Sequence, residues 1–178
     1  HKSIYSNLIY NSIISDTRHK IKTGFTFFHD NYKEIVNDKL YERNENSLGG
    51  FFEYSFDNLD NVNLTAGVRL DHHNLLGTFL TPRFHLRYTP WSKSALRFSF
   101  GRGKRAANIF TENQKIFASS RTININNNNG KIYGLSPEIA WNYGLSYSQK
   151  FNIFNRNANI SVDYYATKFK DQVVVDYE

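Results

Sequence analysis

The chain has 178 residues, a net charge of +6 scattered along its length, no cysteine, and an aromatic fraction of 16% built from 15 Phe, 12 Tyr and 2 Trp. No run approaches the ~20 apolar residues that a membrane-spanning helix needs. The missing cysteines remove disulfides, thiolate catalysis and cysteine-based zinc sites. The dispersed charge argues against a nucleic-acid partner and for solvated positions. Tyr and Phe favour strands, and the 22 asparagines favour turns and loops. With neither a methionine nor a signal-peptide pattern at its start, the chain is expected to be a processed product or an excerpt.

Alternation of apolar and polar residues, the period of a half-buried strand, organises the sequence into eight segments. The first, Ser3 to Ile14, is ambiguous, because Ile4, Leu8 and Tyr10 compete with Tyr5, Ile9 and Ile13. In the second, Ile21, Thr23, Phe25 and Phe27 oppose Lys20, Lys22, Gly24 and Thr26. The third sets Leu48, Gly50, Phe52, Tyr54 and Phe56 against Ser47, Gly49, Phe51 and Glu53. The fourth sets Val62, Leu64, Ala66, Val68 and Leu70 against Asn63, Thr65, Gly67, Arg69 and Asp71. Pro82, Phe84, Leu86 and Tyr88 form the apolar phase of the fifth, and Leu96, Phe98 and Phe100 that of the sixth. Trp141, Tyr143, Leu145 and Tyr147 do so in the seventh, and Ile160, Val162 and Tyr164 in the eighth. A ninth is expected to begin at Val173.

None of the 28 apolar-phase positions of segments two to eight is charged, where the overall charged fraction of 21% would place about six. One face thus tolerates no charge, while the other is polar or small apart from Phe51. A charge on the lipid face of a membrane barrel costs roughly 2–4 kcal/mol at mid-membrane, which is the constraint such a face obeys. The connections point the same way. Residues 15–18, 57–61, 89–94 and 152–157 are short, and they alternate with longer stretches at 30–46, 72–81 and 102–138. Outer-membrane barrels have short periplasmic turns and longer extracellular loops. Phe56, Tyr88, Trp91, Tyr147 and Phe151 lie toward the short-turn end, and Phe25, Phe27, Phe98, Phe100, Trp141 and Tyr164 toward the other, as two interfacial aromatic girdles would. The expected fold is all-β: an antiparallel transmembrane β-barrel of about eight meander strands.

Several stretches resemble the barrel of TonB-dependent outer-membrane receptors. They are Gly49-Gly50-Phe51-Phe52-Glu53-Tyr54, Ala66-Gly67-Val68-Arg69-Leu70-Asp71-His72-His73-Asn74, Thr81-Pro82-Arg83-Phe84-His85-Leu86-Arg87-Tyr88, Gly101-Arg102-Gly103-Lys104-Arg105-Ala106-Ala107-Asn108 and Pro137-Glu138-Ile139-Ala140-Trp141-Asn142-Tyr143-Gly144. The order in which they follow one another, more than any one of them, carries the resemblance. It implies a barrel of about 22 strands filled by a plug domain, of which residues 1–178 would be an interior part without the plug. It further implies a Gram-negative outer-membrane location, bilayer lipid and the TonB complex as partners, and energised uptake of a scarce nutrient. The nutrient would be an iron–siderophore, or haem, cobalamin or an oligosaccharide; no cofactor or enzymatic activity is implied.

Candidate site residues follow from position. Arg102, Arg105, Asn108, Glu112 and Asn113 leave the sixth segment at the pore mouth and are candidates for ligand contact. Glu53, Arg69, Asp71, Arg83, Arg87 and Arg97 share the lumen phase, either as a charge network of the barrel wall or as groups that hold anionic ligand oxygens. His72 and His73 are neighbours, but adjacent strand residues point opposite ways and make a poor chelate, so no metal site is assigned. Gly101, Gly103, Lys104 and Arg105 lack the βαβ setting of a nucleotide loop. Tyr133 is either a ligand contact or a surface aromatic, and Asn124 to Asn129 reads as an Asn-rich loop tip. No Ser/His spacing, including Ser119, Ser120 and His85, places a nucleophile beside a base. Two other readings stand beside the receptor: a complete eight-stranded barrel serving as adhesin or anchor, and a soluble glycan-binding β-sandwich.

Overall fold

Period-2 alternation makes each segment a ribbon with one apolar face, and the ribbons pair along their backbones. The computed structural model describes residues 2–36, 39–118 and 132–174. Its strands are β1 (Lys2–Ile13), β2 (His19–Val36), β3 (Lys39–Asp57), β4 (Val62–His73), β5 (Gly77–Tyr88), β6 (Ser94–Arg105), β7 (Glu138–Ile153) and β8 (Arg156–Lys170). A four-residue helix, α1 (Ile109–Glu112), and two 3-10 turns (Gln114–Ala118 and Ile132–Gly134) lie in the β6–β7 connection. The strands form one antiparallel meander in the order β1 to β8.

Register puts the apolar phases on a common face. Phe25 lies opposite Gly50, Phe52 opposite Val68, Leu64 opposite Leu86, Phe98 opposite Leu145 and Leu145 opposite Tyr164. The ladder also resolves the first segment: Leu8 faces Phe25 and Tyr10 faces Thr23, so Ile4, Leu8 and Tyr10 join the outward face. Tyr5, Ile9 and Ile13 point inward. This outward face is uncovered, with Phe25 63% and Val162 62% exposed. A continuous apolar surface of this kind marks a contact with another molecule or a membrane.

Away from Tyr5, Ile9 and Ile13 the inward face is mostly polar, with two accommodations. Inward Phe51 lies over Gly24, its register partner, and any side chain at Gly24 would strike that ring and the Leu8 carbonyl. Gly49 leaves room for the Arg69–Asp71 pair in the same way.

Short connections close one end of the sheet. Phe154 and Asn155 make a two-residue turn with φ of 49° and 59°, the left-handed pair that matches strand twist. Asn58 Oδ1 accepts from the amides of Asp60, Asn61 and Val62, holding the β3–β4 turn. At the other end the expected connection 30–46 is mostly strand, since β2 and β3 stay paired from Phe28–Ser47 up to Val36–Lys39. Above a membrane both faces meet water, so the alternation that identifies a strand within lipid fades. The 72–81 connection likewise narrows to residues 74–76. At Val173, where a ninth strand was expected, the described residues 171–174 are irregular and 175–178 lie outside them.

A closed eight-stranded barrel needs a ladder between β8 and β1. The sheet is open instead, with β1 and β8 at its edges, which weighs against the small complete barrel.

Val68→Arg puts a charge on the outward face at mid-strand, opposite Phe52 and Pro82, with an expected cost of roughly 2–4 kcal/mol of insertion energy. Thr65→Arg, on the inward face, should be far milder. Heat-modifiable mobility of the full-length protein in isolated membranes measures both, and equal effects would refute a lipid-facing surface.

Candidate functional site

Above the sheet the β2–β3 hairpin stands tall, the β4–β5 turn is low, and the long β6–β7 connection reaches across the notch between them. The hairpin is laced on its outward side by Asn31 donating to Asn44 at 2.7 Å and by Lys33 paired with Glu42 at 2.7 Å. Its inward side carries Tyr32, Glu34, Arg43 and Glu45. The Arg43 guanidinium lies 2.5 Å from Glu34 and 2.7 Å from Glu45, and 4.0 Å from the centre of the Tyr32 ring. It also donates to the Tyr133 hydroxyl at 2.8 Å. That hydroxyl in turn donates to Glu34 at 2.7 Å. Burial, then the Glu34 carboxylate, push the Tyr133 phenol far above its ordinary value and keep it a neutral donor.

Around this cluster sits the only apolar core among the described residues: Val36, Phe110, Ile132 and Tyr133, with Tyr41, Leu75 and Leu76 against it. The Phe110 ring meets Tyr133 edge-on at 5.1 Å and Tyr41 at 5.2 Å. Tyr133 adopts φ 52°, a left-handed conformation that costs a non-glycine residue about 1 kcal/mol or more. Its buried ring and doubly bonded hydroxyl hold it there.

Next to Glu45 stands His73, 4% exposed, its ring 5.7 Å from that of Phe28. The amides of Leu75 and Leu76 donate to His73 Nδ1 at 3.1 and 3.3 Å, so Nε2 carries the proton, 3.5 Å from Glu45. Burial raises the Glu45 carboxyl, but hydrogen bonds from His73 and Arg43 outweigh it and hold the group below the usual carboxylate range.

These groups border a cavity of about 500 Å³. Phe28, Tyr32 and Phe79 supply aromatic wall, and Arg43, Arg69 and Lys104 supply positive charge. Lys104 differs from the two arginines. Its ammonium donates to the Leu76 carbonyl at 2.8 Å and sits 4.7 Å from the centre of the Phe79 ring, with no carboxylate partner among the described residues. It reaches the cavity because β5 and β6 stop pairing at Arg83–Gly101, beside Pro82, which has no N–H to offer the ladder.

The five pore-mouth candidates fall into two groups. Arg105, Asn108 and Glu112 come together: Arg105 binds Glu112 at 3.0 Å and Glu138 at 2.7 Å, and Asn108 caps α1 by accepting from Thr111 N at 3.2 Å. Asn113 joins them by donating to the Ile109 carbonyl at 3.0 Å. Arg102 stands apart on the outward face, donating to the Leu80 carbonyl at 2.7 Å.

Of the inward charges, Glu53 pairs with Arg83, and Arg69 with Asp71 at 2.6 Å. Arg87 and Arg97 face each other across β5 and β6, without an ion-pair partner among the described residues. His72 turns outward to Thr78 at 2.8 Å while His73 turns in. Tyr133 is a buried support of the mouth instead of a surface ring. Ser119, Ser120 and Asn124 to Asn129 lie outside the described residues. The sequence reading passed over Tyr32, Arg43 and Glu45, and took up Lys104 only as part of a rejected nucleotide loop. The signal for the hairpin groups was there, as aromatic and opposite charges at period 2, but within a stretch read as loop.

The family described as "TonB dependent receptor-like, beta-barrel" matches residues 4–178. The chain belongs to this family. Members of this TonB-dependent receptor family are transporters and not enzymes. Its fold is also similar to solved structures of the ferric enterobactin receptor PfeA. One is a mutant of the Pseudomonas aeruginosa protein in complex with enterobactin, at 13% identity and a TM-score of 0.68, covering 94% of this chain and 27% of that one. A doubly substituted mutant from the same organism gives 14% identity, a TM-score of 0.68, and coverage of 94% and 26%. The receptor in complex with BCV-L6 gives 13%, 0.67, 94% and 27%. The chain thus spans about a quarter of the length of these structures. No curated protein matches it in sequence.

Arg43→Ala would leave Glu34 with the Tyr133 hydroxyl and Glu45 with His73, and neither carboxylate with its guanidinium. Breaking such a shielded pair costs on the order of 3 kcal/mol, so amide exchange in residues 106–113 and 132–137 of the full-length protein should speed up markedly. Unchanged exchange would mean that the cluster does not hold the connection down. The depressed Glu45 carboxyl adds stability that is complete above its ordinary value of 4.5 and is lost as pH falls through the lower folded value. Exchange in the same residues should therefore be steady from neutral pH to about 5, after correction for intrinsic rates, and should rise below that.

Proposed function

We propose that residues 1–178 form part of the wall of a TonB-dependent receptor of a Gram-negative outer membrane, which takes up a scarce nutrient, an iron–siderophore, with energy supplied through TonB. The observation that carries this reading is the family match over residues 4–178. The plug domain and TonB contact characteristic of the family would be contributed by the longer protein to which this wall belongs.

In this reading the outward face meets lipid and the inward face lines the import path. Ligand enters at the mouth bounded by the β2–β3 hairpin and the β6–β7 connection. An iron–siderophore is a large anionic chelate, often with flat aromatic donors. The aromatic wall and the Lys104 ammonium suit it in shape and charge. Arg105, Asn108, Glu112 and Asn113 would support the mouth by fixing α1 and its flanks. The inward pairs Glu53–Arg83 and Arg69–Asp71 would stiffen the wall below.

Deleting the full-length gene should abolish growth on a ferric siderophore as sole iron source while leaving growth on excess iron salt intact. Loss of TonB should have the same effect. Lys104→Ala should weaken siderophore binding about tenfold, the value of one charge-assisted hydrogen bond. Uptake that survives loss of either protein would refute the reading, and a defect on haem, cobalamin or an oligosaccharide alone would reassign the cargo.

A further inference from the structure

Outward positions carry no charge through the middle of the sheet, but at the long-loop end of β6 and β8 this rule breaks. Arg102 on β6 lies opposite Trp141 on β7, and Trp141 lies opposite Lys168 on β8. Two residues further on, Lys170 lies opposite Ile139. Partners in a ladder share a face, so Arg102, Lys168 and Lys170 all stand on the outward surface; Lys104, also opposite Ile139, has the same phase, but its ammonium turns round the unpaired edge of β6 to the Leu76 carbonyl.

Among the described residues nothing on that surface neutralises them. The outward phase of β6, β7 and β8 holds no aspartate or glutamate, and none of the three cations makes an ion pair among the described residues. Lys33, an outward cation on β2 at the same end, shows the contrast: it has its own carboxylate, Glu42, at 2.7 Å. Arg102 donates one bond to the Leu80 carbonyl, yet its Nε atom is buried without any partner. Its guanidinium sits 5.6 Å from the centre of the Trp141 ring. Trp141 and Tyr143 both pack on Phe100, with ring centres 5.3 and 5.4 Å apart.

An unneutralised basic row thus lies directly beyond an aromatic band, on the face that meets lipid. That is the depth at which hydrocarbon gives way to headgroups, where aromatic rings and cations both settle. Strands are spaced about 4.8 Å apart, so Arg102 and Lys168, two strands apart, span roughly 10 Å, the scale of a phosphorylated headgroup. Arg offers a planar fork to phosphate oxygens, and the two lysines add point charges.

We propose that Arg102, Lys168 and Lys170, seated beside Trp141, bind a phosphate-bearing lipid headgroup of the outer leaflet. This rests on the reading that the outward face spans an outer membrane. The occupant is a lipid because the cations share the lipid-contacting face and not the cavity lined by Lys104.

The test uses the full-length receptor, purified from outer membranes into uncharged detergent and titrated with diphosphorylated lipid A, with bound lipid counted by native mass spectrometry. Wild type should bind it and should fail to bind the dephosphorylated form. Lys168→Gln with Lys170→Gln, which leaves the Arg102 bond to Leu80 intact, should weaken binding by about fivefold per cation removed. Adding Arg102→Gln should weaken it further. All variants should keep the heat-shifted band of a folded barrel. Equal lipid binding by wild type and variants would overturn the proposal, as would displacement of the lipid by millimolar inorganic phosphate, which would mark a general anion site. A wild-type protein with no heat-shifted membrane band would instead overturn the barrel reading itself, a separate outcome.

Discussion

Hydrocarbon offers no hydrogen bonds, so a chain that crosses it must satisfy its backbone internally, and every feature of this sheet follows from that demand. Seven successive antiparallel ladders pair the eight strands, and each backbone group left unpaired within lipid would cost several kcal/mol. Where a ladder does end early, side chains take over. Beyond Arg83–Gly101 the carbonyls of Leu80 in β5 and of Leu76 in the β4–β5 turn accept from Arg102 and Lys104. That local repair places one cation on the lipid side of the wall and sends the other to the inner cavity. The functional chemistry of the mouth therefore begins with a backbone problem created by Pro82.

Given the ladders, pleating separates two environments a side chain's length apart. The outward side has no covered core, and its apolar residues remain exposed for another phase to cover. The inward side carries charge, but mostly as pairs: Glu53 with Arg83, Arg69 with Asp71. Arg87 and Arg97 depart from this as two like charges directly opposite, and Lys20 and Lys22 on β2 also make no ion pair among the described residues. A directly opposed like-charge pair is unfavourable in isolation.

Above the membrane the stabilising logic changes. A small apolar core and one arginine shared by two carboxylates and a phenol dock the β6–β7 connection onto the hairpin. The Arg43 cluster is well shielded and its groups are partnered with one another, one guanidinium against two carboxylates, so it contributes rigidity more than attraction for an anionic ligand. In the proposed reading attraction falls to Lys104, which no carboxylate among the described residues neutralises. Rigid support and unneutralised charge thus sit on different residues, a division that lets the mouth hold its shape while keeping a cation available.

Alternation, with the connection lengths, settled the strands, their antiparallel order and the two faces from β2 to β8, because a two-sided environment imposes a period-2 code on residues within the membrane; the faces of β1 needed the ladder. Alternation also placed Glu53, Arg69, Asp71 and Arg83 on the inner face, although it could not tell which would pair. It failed where that environment ends: at 30–46 both faces meet water, charge is allowed on either, and the paired hairpin read as a loop. The mouth was equally illegible. Contacts such as Arg43 to Tyr133 join residues 90 positions apart, and no local pattern encodes them. Tertiary structure alone decided that Arg105, Asn108, Glu112 and Asn113 are tied together while Arg102 stands apart at the Leu80 carbonyl on the outward face, because that division depends on where the β5–β6 ladder ends and on how the described parts of the long connection pack.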